Sequence, residues 1–416
     1  MRPTLLLFVA LLSLGRAAWP QGNPVGPEFR VNTYTTNAQT GSAVASDGSG
    51  NFVVVWESNG QDGSISGVFG QRYASAGPPL GPEFRINTYT TDNQLYPSIA
   101  ADATGNFLVV WSGYPDGSSF GVFGQRYTNS GTPLGVEYRV NAFTTAGQSH
   151  PAVASATSGI FVIVWDSQVQ DGSIIGIFGQ RFAGTGAPLG PEFRINTYTT
   201  GPQGQPRVAA DAAGNFVVVW VSTPQDGSDS GVFGQRYASS GAPLGPEFRA
   251  NSFTTDNQFA PNVASDASGN FVVVWTSYAQ DGSSSGVFGQ RYASSGAPLG
   301  AEFRINTFTS GEQLRASVAA DAGGNFVVTW QGYGQDGSNW GIVAQRYSSS
   351  GVPLGGEFLV NTLTTGDQLQ PSVSSDAAGH FVVAWQSYAQ DGSDNGIFAQ
   401  RYSMIVPVEL QSFRVE

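Results

Sequence analysis

Four side chains of this sequence have the chemistry that a hydrolytic site needs: Glu57, Asp166, His150 and Arg315. Glu57 and Asp166 each directly follow a tryptophan, and a pair of carboxylates at a defined separation is what retaining and inverting glycosidases use. The chain contains no cysteine and no lysine, so thiol and amine nucleophiles are absent. A hydrolase or lyase acting on polysaccharide is therefore one function hypothesis, and it depends on these few groups.

A larger set of side chains is suited to recognition. Aromatic rings present an apolar face with a polar edge, and amide and guanidinium groups donate several hydrogen bonds. The candidate ligand-binding residues are Tyr96, His150, Arg315, Gln370, Tyr114, Tyr278, Tyr333, Tyr388, Phe120 and Trp340. They stand where copies of an internal repeat differ from one another, so neutral drift of exposed loops is the alternative explanation.

These residues are carried by a unit that the sequence repeats seven times. Seven tryptophans recur at intervals of 54 or 55 residues: Trp56, Trp111, Trp165, Trp220, Trp275, Trp330 and Trp385. A period near 50 is typical of propellers, solenoids or arrays. Each unit contains four short strand patterns separated by turns rich in Gly, Pro, Asp and Ser, and we name these strands a, b, c and d.

Strand b determines the predicted architecture. In the fourth unit it contains Phe216 to Trp220, which are apolar on both faces, so its sheet must be covered on both sides. Four-stranded sheets stacked around an axis satisfy this requirement. The sequence therefore predicts an all-β fold, a seven-bladed β-propeller of four-stranded antiparallel blades.

The ends of the repeat region predict how the ring closes. The first strand pattern, residues 28–32, matches strand d, and the last, near Arg401, matches strand c. The N-terminal strand is therefore expected to complete blade 7, although residues 412–415 have the same offset from Arg401 and remain a competitor. Elsewhere an arginine of strand c precedes a glutamate of strand d by 11 residues, as in Arg72 and Glu83, which predicts cross-strand ion pairs. N-terminal closure would pair Arg401 with Glu28.

The expected division of the chain is a signal peptide over residues 1–17, a linker over 18–26, the propeller over 27–403 and a C-terminal tail over 404–416. The sequence leaves open whether that tail forms an extra strand. The apolar run from Thr4 to Leu14 is too short to span a bilayer, and small residues follow it, as in secretory signals. We expect an extracellular or periplasmic protein without a transmembrane segment.

Several repeated polar residues have structural explanations. The aspartate of the b–c motif, which is Asp62 of Gln-Asp-Gly in the first unit and Asp116 of Pro-Asp-Gly in the second, fits a turn between strands b and c. Calcium is a weaker alternative where a second carboxylate is near, at Asp226 with Asp229 and at Asp391 with Asp394. No other cofactor and no catalytic residue is expected. Asparagines such as Asn87 and glutamines such as Gln94 are expected to join neighbouring loops.

Charge narrows the range of partners. The formal net charge is -12, and the 18 basic residues, all arginine, are spread along the chain rather than clustered. Phosphate backbones are bound through clustered Lys and Arg, so nucleic acid is not an expected partner. We expect a monomer that binds glycans or surface proteins.

The repeat also carries a family resemblance. The pattern N-x-x-T-x-x-x-Q-x-x-P-x-V-A-x-D-x-x-G-N-F-V-V-V-W, followed by Q-D-G-S and G-V-F-G-Q-R-Y, resembles repeats of exported and surface proteins of bacteria over residues 28–402. The segment VPVELQSF, residues 406–413, is similar to a segment near the C-terminus of such proteins. The resemblance implies an exported bacterial β-propeller and implies no activity.

Three functions follow from these patterns. The first is a secreted, non-enzymatic propeller that recognises carbohydrate or protein on the face formed by the d–a and b–c loops, because binding residues concentrate on loops held by a rigid scaffold. The second is the polysaccharide hydrolase or lyase, with one site at the channel mouth. The third is a structural surface-layer or spacer protein.

Overall fold

Each repeat folds into one antiparallel sheet, and seven sheets form a closed ring. The computed structural model describes residues 22–114 and 119–403, which form strands, turns and loops without a helix. No helix that could cross a membrane is therefore found in these two ranges. The sheets have the strand order a-b-c-d from the axis outward, so the predicted seven-bladed β-propeller is confirmed.

Strands a and b form the inner half of each blade. Strand a spans Gln39–Ser46, Gln94–Ala101, Gln148–Ser155, Gln203–Ala210, Gln258–Ser265, Gln313–Ala320 and Gln368–Ser375 in blades 1 to 7. Strand b spans Phe52–Asn59, Phe107–Gly113, Phe161–Gln168, Phe216–Ser222, Phe271–Tyr278, Phe326–Tyr333 and Phe381–Tyr388. The a strands of adjacent blades contact one another around the whole ring and so form the wall of its central channel.

Strands c and d form the outer half. Strand c spans Ser66–Tyr73, Gly121–Tyr127, Ile175–Phe182, Gly231–Tyr237, Ser285–Tyr292, Trp340–Tyr347 and Asn395–Ser403. Strand d is short and spans Phe84–Arg85, Tyr138–Arg139, Phe193–Arg194, Phe248–Arg249, Phe303–Arg304 and Phe358–Leu359 in blades 1 to 6. Its exposed outer edge contrasts with strand b, which is buried on both faces as the sequence predicts.

Blade 7 is completed by the N-terminal strand Phe29–Arg30, as predicted. Phe29 pairs with Ala399 and Arg30 with Phe398. A further two-residue strand, Asn23–Pro24, pairs with the end of strand c, so pairing begins inside the region expected to be a linker, 18–26. The expected signal peptide and the tail 404–416, which includes the competing strand 412–415, lie outside the described residues.

The apolar core is divided into seven clusters, one between each pair of adjacent blades. Between blades 3 and 4, Trp220 packs against Val164 and Ile177 of the preceding blade. All seven repeated tryptophans are at most 1% exposed. The tryptophan recurs once in every repeat because each of these residues fills the core between two adjacent blades.

The expected ion pairs across the c–d hairpin are replaced by contacts between blades. Arg181 donates to the Ser239 carbonyl of the next blade at 2.6 Å, and Arg401 donates to Ser75 of blade 1 at 2.7 Å. The glutamates instead accept from the preceding blade: the Thr362 N–H donates to Glu28 Oε2 at 2.6 Å. The prediction of Arg401 paired with Glu28 was wrong, because both side chains extend toward neighbouring blades.

The repeated amides have the joining role that the sequence predicts. Asn87 is 1% exposed, and its Oδ1 accepts the Val68 N–H at 2.8 Å. Its Nδ2 donates to the Tyr89 carbonyl at 2.9 Å, to Asp62 at 3.1 Å and to Gln94 at 3.3 Å. Each such asparagine connects strand c, the b–c turn and the start of strand a, so it fixes the loops at one end of the blade.

Candidate functional site

The d–a and b–c loops emerge on the same face of the ring, as expected. Strand a begins where strand b ends, since Gln368 pairs with Ser387, and Tyr388 at the end of strand b pairs with Asn395 at the start of strand c. We call this side the d–a/b–c face. The opposite face carries the a–b turns and the c–d loops.

The variable positions nearest the channel lie inside strand a rather than in a loop. We call them the inner ring: Gly41, Tyr96, His150, Gln205, Ala260, Arg315 and Gln370. Each occupies a bulge in the a–b ladder and has φ between 49° and 61°. The bulge interrupts the alternation of side chains in the innermost strand, so these residues are placed at the channel mouth.

Tyr96 and His150 of the inner ring form one cluster with Asp166 of strand b. The rings of Tyr96 and His150 lie 4.3 Å apart between centroids. His150 Nδ1 lies 2.9 Å from Asp166 Oδ2, and Ser149 Oγ donates to Asp166 Oδ1 at 2.7 Å. Ser149 is therefore on the carboxylate side of the imidazole, 3.3 Å from Nδ1, whereas a Ser-His-Asp relay needs serine at the other ring nitrogen. The cluster orients His150 and does not activate a serine.

Glu57, on strand b of blade 1, contacts this cluster from the neighbouring blade. Its Oε1 accepts the backbone N–H of Tyr96 at 2.6 Å. Burial raises the pKa of the Glu57 carboxyl to about 7, and the hydrogen bond from Tyr96 lowers it. In other blades a neutral side chain has this role, since Gln331 Oε1 accepts the Gln370 N–H at 3.1 Å. The hydrogen bond between blades thus does not need a carboxylate. At neutral pH the partial negative charge of Glu57 lowers the free energy of unfolding.

Glu57→Gln is expected to change the dependence of stability on pH. Because the pKa is raised from 4.5 to about 7 on folding, the stabilising contribution of Glu57 is complete below pH 4.5 and is lost as pH rises through 7. Glutamine keeps an acceptor for Tyr96 without the charge. The variant should therefore match the wild type near pH 4 and exceed it near pH 8 by on the order of 2 kcal/mol, measured by urea denaturation across this range.

The reverse substitution in the equivalent position of blade 6 provides the matched control. Gln331 is 4% exposed, so Gln331→Glu should lower stability near neutral pH and leave it unchanged in acid. If Glu57→Gln and the wild type have parallel stability profiles over the whole range, the carboxyl of Glu57 is not perturbed as described.

A second set of variable residues lies farther from the axis. We call it the outer ring: Asn59, Tyr114, Gln168, Thr223, Tyr278, Tyr333 and Tyr388. Tyr333 packs edge-on against Trp340 at 5.3 Å, and Tyr114 packs edge-on against Phe120 at 5.8 Å. Tyr278 contacts Phe259 at 5.0 Å. Tyr114, Tyr278 and Tyr333 of the outer ring are therefore each packed on one side against another aromatic side chain.

The structure brings Tyr96 and His150 into contact and places Arg315 and Gln370 in the same inner ring. A further residue of this wall, Arg207, was not among the predicted site residues and lies two positions after inner-ring Gln205 on strand a. Its six equivalents are Ala43, Ser98, Ala152, Asn262, Ser317 and Ser372. Comparison of the repeats position by position along strand a could have found it.

The repeated aspartates are used within turns. Asp47 Oδ1 accepts the backbone N–H groups of Ser49 and Asn51 at 2.8 and 3.0 Å and so stabilises the a–b turn. His380 replaces the turn asparagine in blade 7, and its Nδ1 lies 2.8 Å from Asp376. The a–b turns of all seven blades surround a cavity of about 270 Å³ at the opposite channel mouth. His380 therefore cannot join His150 in one site.

The aspartates considered for calcium also have protein partners. Asp226 Oδ1 accepts the Ser228 N–H at 3.1 Å, and its Oδ2 accepts from Asn251 at 3.3 Å. Asp391 makes equivalent contacts with Ser393 and Asn32. Within residues 22–114 and 119–403, no three His, Cys, Asp or Glu side chains are grouped to hold a metal ion. Asp116 lies outside the described residues.

Comparison with known proteins identifies the fold. No protein family and no curated protein matches the sequence. A protein of unknown function from Dyadobacter fermentans is similar in structure, with a TM-score of 0.54 and 11% identity over 93% of this chain and 100% of that one. An α-L-arabinanase of Penicillium chrysogenum in complex with arabinobiose has a TM-score of 0.51 and 13% identity over 74% and 93% of the two chains. At such low identity these similarities show the propeller fold alone.

Proposed function

We propose that this protein is an exported, non-catalytic propeller that binds carbohydrate through its d–a/b–c face. The observation that carries the proposal is an arc of tyrosines in three adjacent blades. Tyr278, Tyr333 and Tyr388 occupy the same outer-ring position and are 38%, 46% and 52% exposed. The apolar C–H face of a sugar ring packs on such aromatic rings, and the phenol hydroxyl donates or accepts at the edge.

The scaffold reduces the cost of ordering these side chains. Each tyrosine is the last residue of a strand b and is paired with the first residue of strand c, so its backbone is fixed before ligand arrives. Preorganised groups lose less conformational entropy on binding than flexible ones. Because the same position recurs from blade to blade, a polymer can contact several tyrosines at once, and weak contacts then combine into useful affinity.

The fourfold variant Tyr96→Ala, Tyr278→Ala, Tyr333→Ala and Tyr388→Ala tests this proposal. All four side chains are exposed, and alanine already occupies the Tyr96 position in blade 5, at Ala260. We therefore expect an intact fold and a loss of glycan binding by about tenfold or more, measured on a glycan array and by isothermal titration.

Leu244→Ala and Leu299→Ala together form the control, because both leucines are 38% exposed but lie in c–d loops on the opposite face. Equal glycan binding by the wild type and the fourfold variant would refute the tyrosine site. If the wild type binds no glycan but captures a protein, the face recognises protein instead. If the wild type binds neither glycan nor protein, the remaining function is that of a structural surface-layer or spacer protein.

The second candidate is a polysaccharide hydrolase or lyase at the channel mouth, favoured by one observation. With its pKa raised to about 7, Glu57 is a partly protonated carboxyl at neutral pH and could donate a proton to a leaving group. Asp166 lies on the same face. Release of reducing ends from a polysaccharide by the wild type, abolished in both Glu57→Gln and Asp166→Asn, would establish this function in place of the first.

A further inference from the structure

We propose that Arg207 and Arg315 form an anion-binding subsite at the channel mouth on the d–a/b–c face, and that the bound carbohydrate carries carboxylate or sulfate groups. This inference rests on the proposed function and narrows its ligand from carbohydrate in general to acidic polysaccharide.

The two arginines are exceptions to the repeat. All other arginines of the described residues occupy repeated positions. Those of strand c are Arg72, Arg126, Arg181, Arg236, Arg291, Arg346 and Arg401, and those of strand d are Arg30, Arg85, Arg139, Arg194, Arg249 and Arg304. Strand-c arginines such as Arg236 donate to carbonyls of the next blade, in this case Ser294 at 2.5 Å. A role in joining blades therefore does not account for Arg207 or Arg315.

Arg207 extends into the channel. It lies in the middle of strand a, opposite Val219 of strand b, yet its side chain is exposed to solvent. The innermost strand has open space only on the channel side, so the exposed guanidinium lies in the channel. Its Nη1 donates to the carbonyl of the adjacent Pro206 at 2.9 Å, and a guanidinium has further N–H donors that can bind an anion.

Arg315 reaches the same space from blade 6. It is an exposed inner-ring residue whose backbone N–H donates to Thr276 Oγ1 at 3.3 Å. Enclosure by the ring lowers the pKa of Arg207; the charge of Asp166 raises it, and the charge of Arg315 lowers it further. Both arginines are exposed residues of strand a, which lines the channel, and one blade lies between their strands. The channel mouth therefore carries two like charges.

One described carboxylate acts on this pair: the charge of Asp166 favours the charged form of Arg207 more than the charge of Arg315 disfavours it. Within residues 22–114 and 119–403, neither Arg207 nor Arg315 is in ion-pair contact with a carboxylate. Asp166, the acidic group that acts on Arg207, is already engaged by His150 and Ser149. Guanidinium groups bind carboxylate and sulfate oxygens through paired hydrogen bonds, so a ligand anion would relieve the repulsion between the arginines. In a chain of net charge -12, this is a local cationic site.

Repeat-matched substitutions test the subsite without introducing foreign residues. Arg207→Ser copies the equivalents Ser98 and Ser317, and Arg315→Gln copies Gln205 and Gln370, so the double variant should fold. The probes are polygalacturonate, its methyl ester, dextran sulfate and neutral dextran, measured by isothermal titration with the complete mature protein. We expect the wild type to bind a carboxylated or sulfated probe and the double variant to bind it about tenfold or more weakly.

The control is Arg249→Gln with Arg304→Gln, which removes the same charge from two exposed strand-d positions and should leave binding unchanged. Preference for polygalacturonate assigns the bound group as carboxylate, and preference for dextran sulfate assigns it as sulfate. Equal binding of the acidic probe by wild type and double variant, or binding of neutral probes alone, would overturn the subsite and leave the proposed function standing. If none of these probes and no glycan on the array binds, both proposals fail.

Discussion

Replacing Trp220 with alanine is expected to lower the free energy of unfolding by about 3 to 5 kcal/mol and to leave ligand recognition unchanged. The indole is 0% exposed and packs between blades 3 and 4. Its removal leaves a cavity that the blades cannot close easily, because strand ladders and the asparagine hydrogen bonds hold both sides in place. Urea denaturation followed by near-ultraviolet circular dichroism measures the loss.

Trp340→Ala is the matched control. Trp340 is only partly buried and packs against Tyr333 on the d–a/b–c face, so its removal should change stability by about 1 kcal/mol or less and weaken glycan binding instead. The opposite pattern, with Trp220→Ala stable but unable to bind ligand, would place the binding site on the tryptophan ladder and refute the division between buried scaffold and variable face.

Deletion of residues 22–32 is expected to destabilise the ring by more than about 5 kcal/mol, since each buried aliphatic side chain and each buried hydrogen bond contributes on the order of 1 to 3 kcal/mol. The segment supplies Val31, 2% exposed, to the core between blades 7 and 1. It also supplies the Val31 N–H, bonded to the Ile397 carbonyl at 2.7 Å, and the Asn32 Oδ1 that accepts the Ile397 N–H at 2.7 Å.

A peptide covering residues 22–36 should restore much of this stability when it is added in trans, because it can refill the outer strand of blade 7. The same peptide with Val31→Asp should not, since it would bury an unpaired carboxylate. Thermal unfolding of the truncated chain with each peptide measures the difference. A truncated chain as stable as the full one would show that another segment closes the ring.

The overall fold was predictable from the sequence for a physical reason. A strand that is apolar on both faces, as from Phe216 to Trp220, must be covered on both sides, and seven equal repeats cover one another only in a ring. Closure by residues 28–32 was also predictable, because Glu28 stands at the position where all the remaining d strands have a glutamate. Its hydrogen bond from Thr362 shows that this glutamate has the same partner across the junction as elsewhere.

Side-chain partners were less predictable. The offset of 11 residues suggested an Arg–Glu pair within each c–d hairpin, yet Arg181 and Glu28 bond to groups of adjacent blades. A sequence offset describes separation within one sheet, whereas the packing of blades brings loops of different sheets equally close. A charged side chain then bonds to whichever carbonyl or N–H lies nearest.

The variable residues of the candidate face could be found by aligning the repeats, but their arrangement could not. Tyr96 and His150 are 54 residues apart in the chain and in contact in the ring. The bulge in strand a moves the inner ring from the expected loop to the channel mouth. Arg207 was not predicted as a site residue, because the sequence around it does not distinguish a strand residue that faces a channel from any other strand residue.

The sequence by itself determined the repeat number, the buried strand b, the joining role of the asparagines and the segment that closes the ring. All of these depend on periodic hydrophobicity and local turn chemistry, which a single repeat contains. Only the tertiary structure decided that Glu57 accepts the backbone N–H of Tyr96, that Asp166 engages His150, and that Arg207 and Arg315 share the channel mouth. Two of these relations join different blades, and the contact of Asp166 with His150 joins strands a and b of blade 3 across a bulge, so spacing along the chain does not give their distances.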